Sequence, residues 1–216
     1  MHQEILNQQQ LELMPLMAQF SREYYLVGGT AIALYLGHRR SVDFDMFKAS
    51  TINHYKNLER IKASGHDYII TRHVTEQMNL IANGVKVTFF QYPFPVEART
   101  KALKTFRIPD LLTLAAMKAY ALGRRSKWKD YVDMYFLLTA HFTIRQISEK
   151  AEDLFGELFS EKMFRVQLAY FEDVDYSEQV DYLIQNPPTD EQIKSQLTEL
   201  AITLPYDCEN NTQHTF

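Results

Sequence analysis

Two aspartates spaced two residues apart, Asp43 and Asp45, are the pair most suited to chemistry in this 216-residue sequence. Residues 41–47 alternate in polarity, which predicts a strand with both carboxylates on one face and Phe44 pointing into the core. Such carboxylates repel each other, and aspartate is disfavoured in strands. A hard cation such as Mg²⁺ resolves this, because it binds one or two carboxylates together with substrate phosphates. We therefore expect Asp43 and Asp45 to be metal ligands, with an exposed acidic strand edge as the alternative.

A glycine turn, Gly28-Gly29-Thr30, precedes the aspartates. It follows a predicted strand over 24–27 and leads into a short predicted helix over 31–36, which Thr30 is expected to cap. Glycines let the backbone approach a ligand, and the free N–H groups of a helix N-terminus attract phosphate. The pattern predicts phosphate binding at this turn, with help from Arg39 and Ser41. An ordinary turn, with Arg39 as an ion-pair partner of the aspartates, is the alternative.

A second group of charged residues lies further along the chain. Lys118 interrupts an otherwise apolar helix, LLTLAAMKAYAL, so its ammonium is expected to neutralise a phosphate or to snorkel at the helix edge. Asp130 and Asp133 are three residues apart and therefore lie near one helical face. We expect these two carboxylates to approach the same site, or to pair with the basic residues of 124–127.

Two regions of different character must position these residues. The first contains short strands and helices, and Asn83-Gly84 between two strand patterns predicts a hairpin turn. We predict an α/β core over 1–100, with a mixed sheet and flanking helices, and a mostly helical region over 101–216 packed on it, which carries Lys118 and the Lys129-Asp130-Asp133 motif. The predicted strands are 24–27, 41–47, 68–71, 78–81 and 85–90. The predicted helices are 4–20 (with Pro15 as a kink or a break), 31–36, 52–63, 109–124, 128–141, 144–159, 161–171 and 189–202.

The composition excludes several classes of protein. Hydrophobic residues make up 46% of the chain, which argues against disorder and collagen-like repetition. The single cysteine, Cys208, excludes an intrachain disulfide framework and a cysteine-based metal cluster. We find neither a secretory signal nor a run of about 18 apolar residues. We therefore expect a cytoplasmic protein with no membrane association.

The charge is distributed unevenly. The whole chain carries 23 basic and 27 acidic residues, a net −4. Residues 99–129 contain nine basic residues and one acidic residue, a net +8, whereas residues 149–191 contain three basic and twelve acidic residues, a net −9. The positive segment suits a polyanion such as a nucleoside triphosphate or RNA. Solvated helix faces are the alternative.

The segment LVGGTAIALYLGHRRSVDFDMF resembles the AbiEii/AbiGii-type nucleotidyltransferases, the toxin halves of bacterial toxin–antitoxin and phage-abortive systems. The resemblance covers residues 24–138, about half the chain. It implies the nucleotidyltransferase fold, with the glycine turn holding the phosphates of an NTP and the two aspartates holding Mg²⁺. The family also carries an Asp, a helical Lys and a Lys-Asp-x-x-Asp motif, and Asp110, Lys118 and residues 129–133 are similar to these.

The sequence departs from the wider nucleotidyltransferase pattern on one strand. Thr88, in the strand predicted over 85–90, stands where many such enzymes carry a third carboxylate. Three consequences are open: Asp130 or Asp133 supplies that carboxylate, the reaction relies on metal and positioning, or the protein is catalytically weak.

The function implied by the resemblance is Mg-dependent transfer of an NMP from an NTP to a hydroxyl of RNA, for example tRNA, or of a protein. The protein would then be a toxin countered by a cognate antitoxin protein. A catalytically inactive binding protein with the same fold is the alternative from a different class.

Overall fold

The computed structural model describes residues 1–122 and 124–203, so Cys208 and its polar surroundings lie outside the described residues. The chain forms two compact units. The first unit comprises Met1–Leu114 and Val180–Gln185, and the second comprises Ala115–Gln179 and the residues from Asn186 onward.

The first unit is built on a five-stranded sheet in the order β1-β2-β5-β4-β3. Strands β2 and β5 are parallel, and the other neighbours are antiparallel, which confirms the predicted mixed sheet. The strands are β1 (Tyr25–Val27), β2 (Phe44–Lys48), β3 (Tyr68–Val74), β4 (Gln77–Ala82) and β5 (Val85–Gln91). The helices of this unit that follow the 3₁₀ turn Gln3–Ile5 are α1 (Gln8–Ala18), α2 (Gly28–Leu36) and α3 (His54–Ala63).

The predicted hairpin joins β4 to β5. Asn83 and Gly84 have φ angles of 49° and 73°, and Ala82 pairs with Val85 across the turn. Two consecutive positive φ angles define the turn that matches the twist of antiparallel strands, and Asn-Gly is the dipeptide that adopts it most readily. This turn places β5 between β4 and β2.

An aromatic core covers one face of the sheet. The rings of Phe20, Tyr24 and Phe89 pack with centroids 4.7–6.1 Å apart, and Phe44 packs on Phe106. Side chains alternate between faces along a strand. The buried positions of β2 therefore face this core, and the positions between them face the other side of the sheet.

Burial of two tyrosines predicts a loss of stability at alkaline pH. Burial raises the pKa of both Tyr24 and Tyr25 to about 12. The unfolded chain ionises near pH 10, so the stability that the neutral rings contribute is complete below pH 10 and is lost as pH rises towards 12. We expect urea midpoints to fall over this window and the fall to be shallower in Tyr25→Phe. The exposed Tyr55→Phe is the control, and identical pH profiles for the two variants would contradict the prediction.

Several boundaries differ from the sequence-based prediction for local physical reasons. Helix α1 begins at Gln8, because the side chains of Asn7 and Gln10 form a capping box there, and it includes Pro15 in its second half. Two strands, β6 (Thr100–Ala102) and β7 (Phe106–Ile108), form an antiparallel pair that was not predicted. Three-residue strands are too short to show alternation.

The second unit consists mainly of helices, with short connections except between its last two helices, where residues 169–189 intervene. Helix α4 (Leu111–Leu122) begins in the first unit, and its residues from Ala115 belong to the second. The other helices are α5 (Trp128–Ala140), α6 (Ile144–Phe155), α7 (Glu161–Leu168) and α8 (Asp190–Ile202). Helix α6 ends before the predicted residue 159, because Gly156 leaves the helical conformation with a φ of 55°. Among residues 1–122 and 124–203, no helix combines the length and apolar character needed to cross a bilayer.

Candidate functional site

The glycine turn forms the start of α2 itself. Strand β1 ends at Val27, and α2 begins at Gly28, so the expectation that the helix starts at Ala31 behind a Thr30 cap is wrong. The reason is the φ of +71° at Gly28, which redirects the chain from strand to helix within one residue. The backbone N–H groups of the first helical turn are the ones left without intrahelical partners. Gly28, Gly29 and Thr30 therefore supply backbone donors that have no partner within the helix.

Charged and polar side chains close around the two glycines. A Cβ atom added to Gly28 would collide with the carboxylate of Asp45, at a separation that real contacts do not show. A Cβ on Gly29 would lie 2.7 Å from Arg39 Nη2 and 3.1 Å from Ser41 Oγ. Only glycine therefore fits at these two positions without a shift of those side chains. The structure thus brings the predicted turn, Arg39, Ser41 and Asp45 together.

Thr30 fastens the turn to the segment that precedes β2. Its side chain is buried, its hydroxyl donates a hydrogen bond to the backbone carbonyl of Asp43, and Oγ1 lies 2.9 Å from Ser41 Oγ. The side-chain amide of Gln10 donates to the carbonyl of Ser41 at 3.0 Å. Thr30 is therefore a tether for residues 41–43 rather than a helix cap.

Asp43 and Asp45 lie on the face of β2 opposite the aromatic core. The strand begins at Phe44, so Asp43 precedes it, although it was predicted inside. The alternation nevertheless holds: both aspartates are half-buried, whereas Phe44 and Met46 are fully buried. Positions of equal parity share a face, and both carboxylates are therefore on the side from which Asp45 reaches Gly28.

Thr88 is the neighbour of Asp45 on the adjacent strand. In the parallel pairing of β2 with β5, Asp45 lies opposite Thr88, and Thr88 lies opposite Asn79 of β4. The threonine is 8% exposed. Directly opposite side chains on neighbouring strands are close enough to interact. A hydroxyl therefore occupies the position where a third carboxylate would stand beside Asp45.

This register predicts a metal-sensitive variant. We expect Thr88→Asp to lower the thermal unfolding midpoint in EDTA, because a third carboxylate would be buried beside Asp45. Mg²⁺ should recover part of the loss by offsetting that charge. Thr88→Asn adds similar volume without charge and is the control. Thermal unfolding of both variants with and without Mg²⁺ checks this, and an equal response to Mg²⁺ in the two would contradict it.

The donor atoms at this site suit a hard divalent cation. The carboxylates of Asp43 and Asp45 are oxygen ligands, and Ser41 Oγ lies beside the same turn. Within residues 1–122 and 124–203, no group of three or more His, Cys, Asp or Glu side chains is placed to hold a metal by itself. A two-carboxylate set completed by phosphate and water oxygens is the arrangement that Mg²⁺ commonly adopts. The residues therefore fit a divalent metal whose other ligands are phosphate or water oxygens.

A distant chain segment holds Arg39 in place, and sequence reasoning missed it. The side chain of Arg39 is buried, and its backbone forms an antiparallel bridge with Tyr182. On either side, Arg40 N donates to the carbonyl of Asp181 at 2.8 Å and Leu183 N donates to that of His38 at 3.0 Å. Residues 180–185 therefore belong to the first unit and support one edge of the candidate site.

The glycine contacts predict a graded loss of stability. Both Gly28 and Gly65 have φ near +70°, but a Cβ on Gly65 meets nothing within 4 Å. We expect Gly65→Ala to cost roughly 1–2 kcal/mol of unfolding free energy from backbone strain alone. Gly28→Ala should cost about 1–3 kcal/mol more, because the methyl group displaces Asp45. Urea denaturation measures both, and equal losses would show that the Asp45 contact is unimportant.

Lys118, Asp130 and Asp133 form a buried cluster within the second unit. Lys118 Nζ lies 2.6 Å from Asp130 Oδ1 and 2.9 Å from Asp133 Oδ2. The side chains of Lys118 and Asp133 are 4% and 0% exposed, and Arg125 Nε approaches Asp130 Oδ2 at 3.0 Å from a half-exposed position. The structure therefore brings together all three predicted residues of this group.

Two other residues of the family pattern have local partners. Lys129 is outside this cluster and pairs with Glu178 at 3.2 Å. Asp110 accepts hydrogen bonds from the backbone and the hydroxyl of Thr113, so its carboxylate caps the start of α4.

Comparison with known proteins shows the fold. No protein-family model matches the chain. The uncharacterised protein aq_aa25 of Aquifex aeolicus is 27% identical over 165 residues, which cover 70% of this chain and 75% of that protein. MenT4, a nucleotidyltransferase toxin from Mycobacterium tuberculosis, superposes with a TM-score of 0.60 at 13% identity, covering 93% of this chain and 85% of its own.

Two structures from Helicobacter pylori agree with this. JHP933 gives a TM-score of 0.51 at 20% identity, and a structure provisionally described as a nucleotidyltransferase gives 0.53 at 17% identity. The superposition on JHP933 covers 91% of this chain and 91% of JHP933. The superposition on the second structure covers 89% of this chain and 91% of that structure. The chain has the nucleotidyltransferase fold, as its sequence predicted.

Proposed function

We propose that this protein is a metal-dependent nucleotidyltransferase that moves an NMP from an NTP to an acceptor hydroxyl. The observation that carries the proposal is the packing of Asp45, Arg39 and Ser41 against Gly28 and Gly29 at the start of α2. Free backbone donors, a cation and carboxylates on this fold make up the parts that phosphate chemistry needs.

The residues of the first unit have distinct proposed roles. The N–H groups of Gly28, Gly29 and Thr30 bind phosphate oxygens of the NTP. The guanidinium of Arg39 offsets their charge, and Ser41 adds a hydroxyl to the same set. Asp43 and Asp45 would hold a divalent cation, which when bound neutralises phosphate charge and polarises the phosphoryl group.

The proposed reaction exchanges one phosphorus–oxygen bond for another. The acceptor oxygen forms a bond to the α-phosphorus, the bond between that phosphorus and the α,β-bridging oxygen breaks, and pyrophosphate leaves. Thr88 is a neutral hydroxyl, so β5 offers no carboxylate to take the acceptor proton, which passes to water. Positioning and charge neutralisation dominate such transfers, which is why the missing carboxylate is compatible with activity.

For Lys118, Asp130 and Asp133 we propose the role that their contacts support. The buried ammonium of Lys118 lies within 3 Å of a carboxylate oxygen of both Asp130 and Asp133. We propose that these ion pairs fix α4 against α5. Direct action on a phosphate, the sequence-based expectation for Lys118, would bring a further anion to an ammonium that already contacts two carboxylates.

The biological setting is proposed from the family resemblance and the likeness to MenT4, whose name describes a nucleotidyltransferase toxin. The acceptor is then a hydroxyl of RNA, such as tRNA, or of a protein, in the cytoplasm. A cognate antitoxin protein would counter the activity. The net +8 of residues 99–129 supports RNA as the acceptor.

The test is a paired labelling experiment. Purified protein is incubated with Mg²⁺, total RNA and lysate protein, using NTPs labelled at either the α- or the γ-phosphate. We expect α-label on the acceptor and γ-label only in pyrophosphate. Transfer of γ-label to the acceptor would instead indicate a phosphoryl transferase.

A non-catalytic binding protein is the second candidate, and Thr88 is the observation that favours it. Such a protein would keep Mg-dependent NTP binding and form no labelled product with any acceptor fraction. The same labelling experiment therefore decides between the two functions.

A further inference from the structure

A basic cavity in the first unit lies outside the candidate NTP site. Its volume is about 380 Å³, and its lining includes Arg22 from the connection between α1 and β1 and Lys101, Lys104 and Arg107 from the β6–β7 pair. Ser21 and Thr105 add hydroxyl groups, and no acidic residue of the described ranges 1–122 and 124–203 lines it. The cavity therefore presents four cations to any ligand that enters.

The fold maintains this cluster against its own electrostatic repulsion. Lys101 and Arg107 are directly opposite in the β6–β7 pairing, and like charges in that position are destabilising. Lys104 has a φ of 59°, which is uncommon for a residue other than glycine. The charge repulsion and the backbone conformation of Lys104 are both unfavourable in the protein alone. An anion in the cavity would offset the repulsion between Lys101 and Arg107.

The connection before β1 is tied to the cavity by backbone contacts. Arg107 Nε donates to the carbonyl of Ser21 and Arg107 Nη2 to that of Arg22, both at 3.1 Å. These bonds use part of the guanidinium and fix its position at the wall. Arg107 is thus held in place by two hydrogen bonds to the backbone, whereas the side chains of Lys101 and Lys104 are exposed.

The four cations have no acidic partners among the residues that the structure describes. In the parts of the chain that the structure describes, Arg22, Lys101, Lys104 and Arg107 form no ion pair, although basic residues nearby do, such as Lys56 and Arg60 with Glu23. The whole protein carries a net −4. A cluster of uncompensated cations on an acidic protein therefore indicates an anionic ligand.

We propose that this cavity binds backbone phosphates of an RNA acceptor, an inference that rests on the proposed nucleotidyl transfer. None of the cavity's lining residues belongs to the glycine turn or to the residues packed against it, so the cavity is distinct from the NTP phosphate site. The aromatic residue of the lining, Phe106, is buried, and no ring is offered for base stacking. The site therefore contacts phosphates, so it positions the RNA on the protein and does not read its base sequence.

The test is RNA binding as a function of salt, measured by fluorescence anisotropy with a labelled RNA hairpin that has a free 3′ end. We expect Lys101→Gln/Lys104→Gln to weaken binding at least tenfold at 100 mM salt. The slope of log affinity against log salt should fall by about 2, because each lost phosphate contact removes close to one released counterion. Lys150→Gln/Lys162→Gln, with the same change in charge, is the matched control.

The outcomes separate this proposal from the proposed function. Loss of RNA affinity only in the cavity variant, with Mg-dependent NTP binding by calorimetry unchanged, supports the RNA site. Equal RNA binding by the two variants, no RNA binding by the wild type, or preference for an acidic polypeptide over RNA would overturn it. Failure of the proposed function is seen separately, as absence of NTP binding or of label transfer in wild-type protein.

Discussion

Replacing Asp45 with asparagine is expected to reduce nucleotidyl transfer by about 10²–10³-fold, the loss typical of removing one electrostatic contact to the transition state. Asparagine keeps the shape that packs against Gly28 and removes the charge that would hold a divalent cation. The same reasoning applies to Asp43→Asn. In both variants the Mg²⁺ concentration needed for half-maximal rate should rise, because one of two carboxylate ligands is lost.

The matched control is Asp67→Asn, an aspartate of the same unit that is exposed. Initial rates with α-labelled NTP and thermal unfolding midpoints are measured for all three variants. Activity of Asp45→Asn close to that of Asp67→Asn would contradict the assignment of the site. If a variant loses both activity and thermal stability, the Mg²⁺ dependence of its remaining rate separates the two causes. A higher Mg²⁺ concentration for half-maximal rate indicates loss of a metal ligand, and an unchanged one indicates loss of folded protein.

Replacing Lys118 with methionine is expected to lower the free energy of unfolding by about 3–5 kcal/mol, as is typical when one partner of a buried ion pair is removed. The loss arises because Asp133, fully buried, would retain a charge without its ammonium partner. Asp130 keeps Arg125. The double variant Lys118→Met/Asp133→Asn should therefore recover part of the loss, and a double-mutant cycle in urea measures the coupling.

Lys129→Met is the matched control for this cycle, because Lys129 pairs with a half-exposed Glu178. Exposed pairs contribute about 0–1 kcal/mol, so the control should stay within that range. A Lys118→Met protein with wild-type stability but weakened NTP binding would contradict the buried-cluster role. That result would support the sequence-based expectation that Lys118 acts on phosphate.

The part of the candidate site that sequence patterns predicted is the part set by local geometry. Alternation along residues 41–47 placed Asp43 and Asp45 on one face, although the strand itself starts one residue after Asp43. The glycine pair was identified from the strand that precedes it. The role of Thr30 was not predicted correctly. Because Gly28 has a positive φ, the helix begins at Gly28 itself, and the Thr30 hydroxyl bonds the carbonyl of Asp43 instead of capping the helix.

The features that sequence patterns could not predict depend on contacts between distant segments. The bridge between Arg39 and Tyr182 joins residues more than 140 positions apart, and nothing in either segment indicates the other. The β6–β7 pair has three residues in each strand and a turn with Leu103 and Lys104 at positive φ, so neither periodicity nor turn residues reveal it. The spacing of Asp130 and Asp133 predicted that they share a helix face. It could not predict that Lys118 pairs with both, because the basic residues of 124–127 were also possible partners.

The measurement that tests the central claim most directly is calorimetric titration of a non-hydrolysable NTP analogue, because it does not require the acceptor to be known. Wild-type protein and Asp45→Asn are each titrated in Mg²⁺ and in EDTA. We expect binding by the wild type to depend on Mg²⁺ and this dependence to be lost in Asp45→Asn. Equal wild-type affinity in Mg²⁺ and EDTA, or unchanged Mg-dependent binding by Asp45→Asn, would contradict a metal–nucleotide site at the glycine turn.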